Sequence, residues 1–174
     1  MLDLLARHGA KATFFLAGSE VERFPELARR LVAEGHAIGS HTAAHLDHEA
    51  VEAEVAVADM LAGVGAIARV LGFEPGLYRA PYGHFVPATL AEADRRGWTC
   101  VHWSTLGYDW MEEATPRSVA DHVLEGLEPG AIVLLHDSRR AKPKDPEPVI
   151  GATAILLQEI EGRGLRAVSL AAML

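Results

Sequence analysis

Hydrophobic and polar positions along this chain follow two periods, one typical of strands and the other of helices. Short runs rich in β-branched and aromatic residues, such as residues 12–16, predict buried strands. In residues 49–71, by contrast, apolar side chains recur at the spacing of a helix. The apolar stripe predicted for that helix consists of Val51, Val55, Ala58 and Ala62.

Strands and helices are predicted to alternate along the whole chain. The predicted strands span residues 12–16, 36–40, 77–79, 98–103, 131–135 and 165–169. The predicted helices span residues 2–8, 26–34, 49–71, 86–96, 116–126, 149–163 and 170–174. Such alternation indicates parallel strands joined by crossover helices. An open doubly wound sheet and a closed barrel both satisfy it, and the periodicity does not choose between them.

Residues at the predicted helix ends support these boundaries. Ser19 and Glu22 have the spacing of a capping box, and Thr115 followed by Pro116 is typical of a helix start. The proline-rich, charged segment 139–148 predicts an exposed loop rather than a domain boundary.

Composition narrows the class of protein. The chain has 174 residues, 49% hydrophobic residues and a net charge of −8, which suits one soluble globular domain spanning residues 1–174. The negative charge argues against a nucleic-acid partner. The lone Cys100 excludes an internal disulfide and a thiolate metal cluster. The longest apolar stretch, residues 60–68, is too short to span a membrane, and no export signal is visible.

Polar side chains follow several of the predicted strands. His41 and His45 come after residues 36–40, Arg79 ends the next strand, and His136 follows residues 131–135. Because parallel strands share one edge at their C-terminal ends, we expect these groups to meet there. Two histidines four residues apart can bind one divalent metal, and a histidine at a strand end can act as a general acid or base.

Each of these features, taken singly, has a structural alternative. The histidine pair fits two surface or capping residues, and Arg79 fits a structural salt bridge. Asp109 could orient an imidazole or simply lie at a helix approach. The other nearby histidines, His36 and His48, are interpreted as loop or surface residues.

The order of the motifs is more specific than any one of them. Along the chain stand His41-Thr42-Ala43-Ala44-His45, Arg79-Ala80-Pro81-Tyr82-Gly83, Asp109-Trp110 and Leu134-Leu135-His136-Asp137. This series resembles the polysaccharide deacetylase family with its NodB-like domain, and the resemblance covers nearly the whole chain.

The resemblance implies a distorted (β/α) barrel of about six parallel strands that carries a divalent metal, zinc first and nickel or cobalt as alternatives. Family members remove N- or O-acetyl groups from sugar polymers. Carried over by position, His41 and His45 would be metal ligands and Thr42 would brace their loop. Arg79 would hold the catalytic base, and the backbone N–H of Tyr82 would help to bind the oxyanion.

The same resemblance implies roles for four residues of the later motifs. Asp109 would orient His136, the general acid that protonates the leaving amine. Trp110 and Leu134 would form the walls of a small pocket for the acetyl methyl group. A metal is needed in such a reaction because an amide carbonyl must be polarised before water attacks it.

One part of the family pattern has no match. The family's first motif is a strand ending in two adjacent aspartates, one the base and one the third metal ligand, and this sequence contains no Asp-Asp pair. We therefore expect the barrel to lack its first strand and the activity of this chain to be impaired. Either the natural protein includes the missing strand or the chain is a degenerate relative.

The missing strand affects the expected partners, and two other functions compete with deacetylation. The strand at residues 12–16 should present an open edge, and we expect the gap to be filled by a second copy of the chain or by local rearrangement. The family habit suggests the cell envelope or the extracellular space. A catalytically weak carbohydrate-binding protein and an amidase acting on a small non-sugar amide are the competing functions.

Overall fold

The computed structural model describes residues 1–137 and 147–173. It divides into two compact units, which we name by their sheets. The four-stranded unit comprises Ala12–His102 and Ser169–Leu174, and the two-stranded unit comprises Met1–Lys11 and Trp103–Val168. Most of residues 139–148, the predicted proline-rich loop, lie outside the described part, as does Leu174 of the predicted tail helix.

The sheet of the four-stranded unit is wholly parallel. Its strands are β1 (Thr13–Leu16), β2 (Ala37–Ser40), β3 (Leu77–Tyr78) and β4 (Thr99–Cys100), in that spatial order. Thr13 pairs with Ala37, and Tyr78 pairs with both Ser40 and Cys100. Consecutive strands are therefore neighbours, and β1 lies at one edge of this sheet, as predicted.

Helices connect these strands, as parallel pairing requires. They are α2 (Gly18–Arg23), α3 (Pro25–Ala33), α4 (Ala53–Leu71) and α5 (Pro87–Arg96). Three short 3₁₀ turns span His48–Ala50, Pro81–Gly83 and Leu170–Ala172. The last of these replaces the predicted tail helix. The core between helices and sheet includes Met60, Tyr78, Ala80 and Ala93.

The predicted apolar stripe of α4 is wrong. Val55 is 45% exposed, and Ala58 and Ala62 are exposed as well. The buried face instead consists of Ala56, Asp59, Met60, Gly63, Val64, Ala66 and Ile67. The error arose because this face carries a carboxylate and a glycine, neither of which counts as apolar in a periodicity search.

In its described residues, the two-stranded unit contains two parallel strands and three helices. Its elements are α1 (Leu2–Arg7), β5 (Thr105–Leu106), α6 (Pro116–Glu125), β6 (Val133–Leu134) and α7 (Glu147–Gly162). Helices α6 and α7 pack through a core of Val119, Ala120, Val123, Ala152 and Leu156. Thr115 caps α6 in a capping box with Ser118, which confirms the predicted helix start.

Several predicted boundaries fail for identifiable reasons. The strand predicted at 98–103 stops at Cys100, because the Arg79 guanidinium binds the carbonyls of Val101 and His102. The strand predicted at 165–169 is absent from the described chain, where Ala167 accepts a backbone hydrogen bond from Lys11 without forming a ladder.

The start of α2 differs from the prediction. The capping box predicted at Ser19 does not form, since Ala17 is the N-cap of α2 and makes no side-chain cap bond. Within the described residues, no helix combines the length and the apolar character that crossing a membrane would require. The α/β class with parallel strands is confirmed, whereas closure into a distorted barrel stays a prediction.

Candidate active site

The histidine loop, which we define as residues 41–46, continues directly from β2. The His41 N–H donates to the Leu16 carbonyl at 2.9 Å, so the chain stays aligned with the sheet as it enters the loop. Thr42 and His45 then adopt left-handed backbone conformations, with φ of 63° and 60°. The Thr42 hydroxyl accepts the His45 N–H at 3.0 Å and so braces the loop, as expected. The two imidazoles meet edge to face, 4.7 Å apart between ring centroids.

A buried carboxylate that the sequence analysis did not single out holds this loop. Asp59 of α4 is 7% exposed and accepts backbone N–H groups from Ala43 at 3.2 Å, Ala44 at 2.7 Å and Leu46 at 3.4 Å. Burial alone would raise the pKa of Asp59, but these bonds, with others from Thr42 and His48, lower it. The ionised carboxylate thus satisfies donors that the left-handed turns leave pointing inward.

Glycine makes the close approach of the loop to α4 possible. A Cβ atom on Gly63 would lie 2.3 Å from the Thr42 carbonyl carbon and 2.4 Å from its oxygen. On the other side, the Gly18 N–H at the start of α2 donates to that same carbonyl at 2.8 Å. The backbone at Thr42 is therefore held between two helices. The sequence does contain a signal for the buried carboxylate that binds this loop. Asp59 is the only charged residue between Glu54 and Arg69.

His48 and His36 are buried, which corrects their interpretation as loop or surface residues. His48 is 1% exposed and lies between Asp59 and Tyr78, with Nε2 3.4 Å from Asp59 Oδ2 and Nδ1 3.3 Å from the Tyr78 hydroxyl. Burial raises the pKa of Tyr78, which keeps the phenol protonated. His36 accepts the Ala12 N–H at 3.2 Å through Nδ1. Both histidines thus stabilise the elements around the loop.

The histidine pair offers donors of the type that a divalent metal prefers. His41 Nδ1 lies 2.8 Å from the Arg79 carbonyl oxygen, and because a carbonyl only accepts, Nδ1 carries the proton. Neutral His41 then has its lone pair on Nε2, the arrangement found in metal-binding histidines. Among the described residues, no group of three or more His, Cys, Asp or Glu side chains is arranged to hold a metal. The pair thus fits two positions of a metal site and leaves the third unassigned.

Arg79 directly follows β3, and its side chain is buried. Its guanidinium donates to the Val101 and His102 carbonyls, at 3.2 and 2.9 Å, and packs over the Phe15 ring at 4.1 Å. Burial lowers the pKa of Arg79 to about 10, so the group remains charged at neutral pH. Tyr82 follows in a left-handed conformation with φ of 58°, and its ring lies 5.0 Å from the His45 ring.

The predicted acid and its orienting carboxylate are in contact within the two-stranded unit. Asp109 is 7% exposed and accepts two hydrogen bonds from His136, one from the backbone N–H at 2.6 Å and one from ring Nδ1 at 2.9 Å. This fixes the tautomer and leaves Nε2 to gain and give a proton. The Trp110 ring packs edge to face on His136 at 5.3 Å, and Leu134 is buried in β6.

The predicted site residues therefore fall into two groups, each built within one unit. His41, His45, Arg79 and Tyr82 belong to the four-stranded unit. The second group, Asp109, Trp110, Leu134 and His136, belongs to the two-stranded unit. Each group is held by contacts within its own unit. The common rim expected from the parallel strand ends stays a prediction.

Comparison with known proteins identifies relatives over the whole chain. A chitooligosaccharide deacetylase from Bradyrhizobium sp. (strain ANU 289) is 41% identical over 79% of the chain and 63% of its own length. A peptidoglycan-N-acetylglucosamine deacetylase from Bacillus cereus is 34% identical over 100% of the chain and 80% of its own length. The chain spans only 52% to 64% of the length of several other curated relatives.

Solved structures give the same result. A peptidoglycan N-acetylglucosamine deacetylase superposes with a TM-score of 0.88 at 28% identity, over 99% of this chain and 78% of that one. A family 4 carbohydrate esterase from Streptomyces lividans, in complex with acetate, gives 0.83 at 25% identity, over 95% and 82%. The family model described as polysaccharide deacetylase matches residues 1–101, more than half of the chain. The chain therefore belongs to the polysaccharide deacetylase family.

Proposed function

We propose that this chain is the deacetylase portion of a metal-dependent hydrolase that removes acetyl groups from a carbohydrate polymer or oligomer. The observation that carries the proposal is the bond of both Asp109 carboxylate oxygens to His136. A histidine fixed at its backbone and ring is suited to deliver a proton in one direction. Relatives named as chitooligosaccharide and peptidoglycan deacetylases favour an N-acetyl amino sugar as the substrate.

The metal would be held by His41 and His45 together with a ligand outside the assigned set, and zinc is the first choice because imidazole suits it. When bound, such a metal polarises the acetyl carbonyl and lowers the pKa of a water molecule. The chain's own contribution is positional. Arg79 fixes the His41 tautomer through its carbonyl oxygen, and the Asp59 bonds hold the loop that presents both rings.

His136 would give its Nε2 proton to the departing amine, which is a poor leaving group until it is protonated. The transfer requires the imidazolium form of His136, in which Asp109 accepts the Nδ1–H and Nε2 carries the proton that is given up. Trp110, packed on His136, and Leu134 are proposed as walls for the acetyl methyl group. The Tyr82 backbone N–H is proposed as the donor that stabilises the oxyanion, since such donors lower the barrier of acyl transfer.

The test is acetate release from chitohexaose, peptidoglycan fragments and acetylated xylan. It is run on residues 1–174 and on the longest protein that the gene encodes, each with added zinc. We expect acetate from at least one N-acetylated substrate, and a loss of about 10²–10⁴ in kcat for His136→Gln. Absence of acetate from every substrate with the longer protein would refute the proposal.

One observation favours a second candidate, a carbohydrate-binding protein without turnover. No third metal-binding side chain joins the histidine pair within residues 1–137 and 147–173, and catalytic zinc sites generally have three protein ligands. Saturable binding of chitohexaose by calorimetry, without acetate release from either length of the protein, would support this candidate.

A further inference from the structure

Tyr108 occupies an unusual place immediately before Asp109. Its backbone is left-handed, with φ of 51°, and its side chain is 43% exposed. The residue before it, Gly107, is closely packed, since a Cβ there would lie 2.6 Å from Val119 Cγ1 and 2.8 Å from Leu135 Cδ2. The loop is therefore anchored at Gly107, and the left-handed turn at Tyr108 separates that anchor from the buried Asp109.

A tyrosine at this turn carries a conformational cost. A left-handed backbone disfavours residues other than Gly, Asn and Asp, by about 1–2 kcal/mol. With 43% of its surface exposed, Tyr108 also forgoes part of the stabilisation that a fully buried aromatic ring would give. Backbone strain of this kind concentrates at functional positions, where the side chain serves a purpose other than stability.

The Tyr108 ring forms part of an exposed aromatic surface that reaches His136. It lies 5.5 Å from the Trp110 ring at an interplanar angle of 58°, and its other neighbour is the His122 ring at 5.1 Å. Trp110 is 36% exposed and packs on His136. Met111 extends the apolar surface and is 50% exposed. Two partly exposed aromatic rings, those of Tyr108 and Trp110, thus lie in a row that ends at His136, the proposed general acid.

We propose that Tyr108 and Trp110 form a stacking platform for a neutral N-acetylhexosamine unit next to the one that loses its acetyl group. This choice of ligand rests on the proposed function. The C–H faces of a pyranose pack on aromatic rings while its hydroxyl groups stay hydrated, which matches rings with an apolar face and a polar tip. Exposed Glu112 and Glu113 follow in the sequence and disfavour an anionic sugar.

The experiment is calorimetric binding of N-acetylglucosamine, its dimer and its hexamer to the wild-type protein and to Tyr108→Asn. Asparagine tolerates the left-handed turn, so this variant should melt at or above the wild-type Tm. We expect the Kd for the hexamer to rise about 2- to 10-fold, and less for the monomer, because the platform contacts a second sugar. Tyr108→Phe should keep the hexamer affinity.

Phe73→Ala is the matched control, because Phe73 is 41% exposed but lies in the four-stranded unit. Its hexamer affinity should equal that of the wild type. Unchanged hexamer binding in Tyr108→Asn would overturn the platform, even if acetate release establishes the proposed function. A Tyr108-dependent loss of hexamer binding, together with a longer protein that releases no acetate from any substrate, would instead uphold the platform as a sugar-binding surface and refute the deacetylase function.

Discussion

Two buried carboxylates hold the two groups of site residues, and they do so in different ways. Asp59 and Asp109 are each 7% exposed, and each accepts hydrogen bonds from N–H groups. Asp59 binds the backbone of a loop at three residues. Asp109 binds His136 at both its backbone and its ring. The first carboxylate therefore determines the shape of the main chain, and the second determines the tautomer and direction of one side chain.

The largest effect that separates the two carboxylates is expected on the rate. In Asp109→Asn, an amide nitrogen replaces one oxygen, so either the His136 backbone N–H or its ring N–H faces a donor. The imidazole then turns or changes tautomer, and kcat for acetate release should fall about 10²–10⁴-fold. KM and the zinc content should change little. An unaltered kcat would mean that His136 does not depend on Asp109.

The next effect falls on stability and comes from Gly63 in α4. Alanine at this position places its Cβ against the Thr42 backbone, which is itself held by α2, so the loop must move. We expect Gly63→Ala to lower the free energy of unfolding by about 3 kcal/mol and to weaken zinc binding.

Gly65→Ala, two residues along the same helix, is the matched control. Its Cβ would meet only the end of the flexible Arg69 side chain, at 3.3 Å. The helix propensity of alanine should then leave stability unchanged or raise it by up to about 1 kcal/mol. Urea unfolding gives the free energy of unfolding of both variants. Equal losses of stability would show that the close packing of Gly63 on Thr42 does not cause the loss in Gly63→Ala.

A smaller stability loss is expected for Asp59→Asn. The asparagine amide would present hydrogens toward donors, the Leu46 N–H and His48, that now bind Oδ2. One or two unsatisfied buried groups cost about 1–3 kcal/mol. The loop should loosen, so amide hydrogen exchange of Ala43 and Ala44 should speed up while that of His136 does not. Faster exchange at His136 as well would show that the two carboxylates are not independent.

The contrast between these carboxylates also explains what could be predicted from the sequence. Asp109 lies in a motif that resembles one of the polysaccharide deacetylase family, and that resemblance implied His136 as its partner. Asp59 lies inside a helix, and its role depends on a loop that folds onto it from 13 to 16 residues earlier. Periodicity treats such a residue as a polar interruption, which is why the wrong face of α4 was predicted to be buried.

Strand lengths show the same limit. β1 could be predicted because its four-residue ladder coincides with a β-branched and aromatic run. The end of β4 could not, because the carbonyls of the next two residues, Val101 and His102, bind the side chain of Arg79, some twenty residues earlier in the chain. Tertiary hydrogen bonds of this kind leave no periodic trace.

The smallest expected effect is a pH dependence of stability. Because the folded pKa of Asp59 is lowered, ionised Asp59 stabilises the fold above the ordinary aspartate pKa, and this contribution is lost as pH falls through the folded pKa. Wild-type stability should therefore fall more steeply below about pH 4 than that of Asp59→Asn. Asp121→Asn removes an exposed carboxylate paired with Arg117 and should keep the wild-type slope, since such pairs contribute little. Urea midpoints between pH 2 and 6 provide the measurement. An Asp59→Asn curve parallel to the wild type would show that the carboxylate holds the loop by geometry alone and not by its charge.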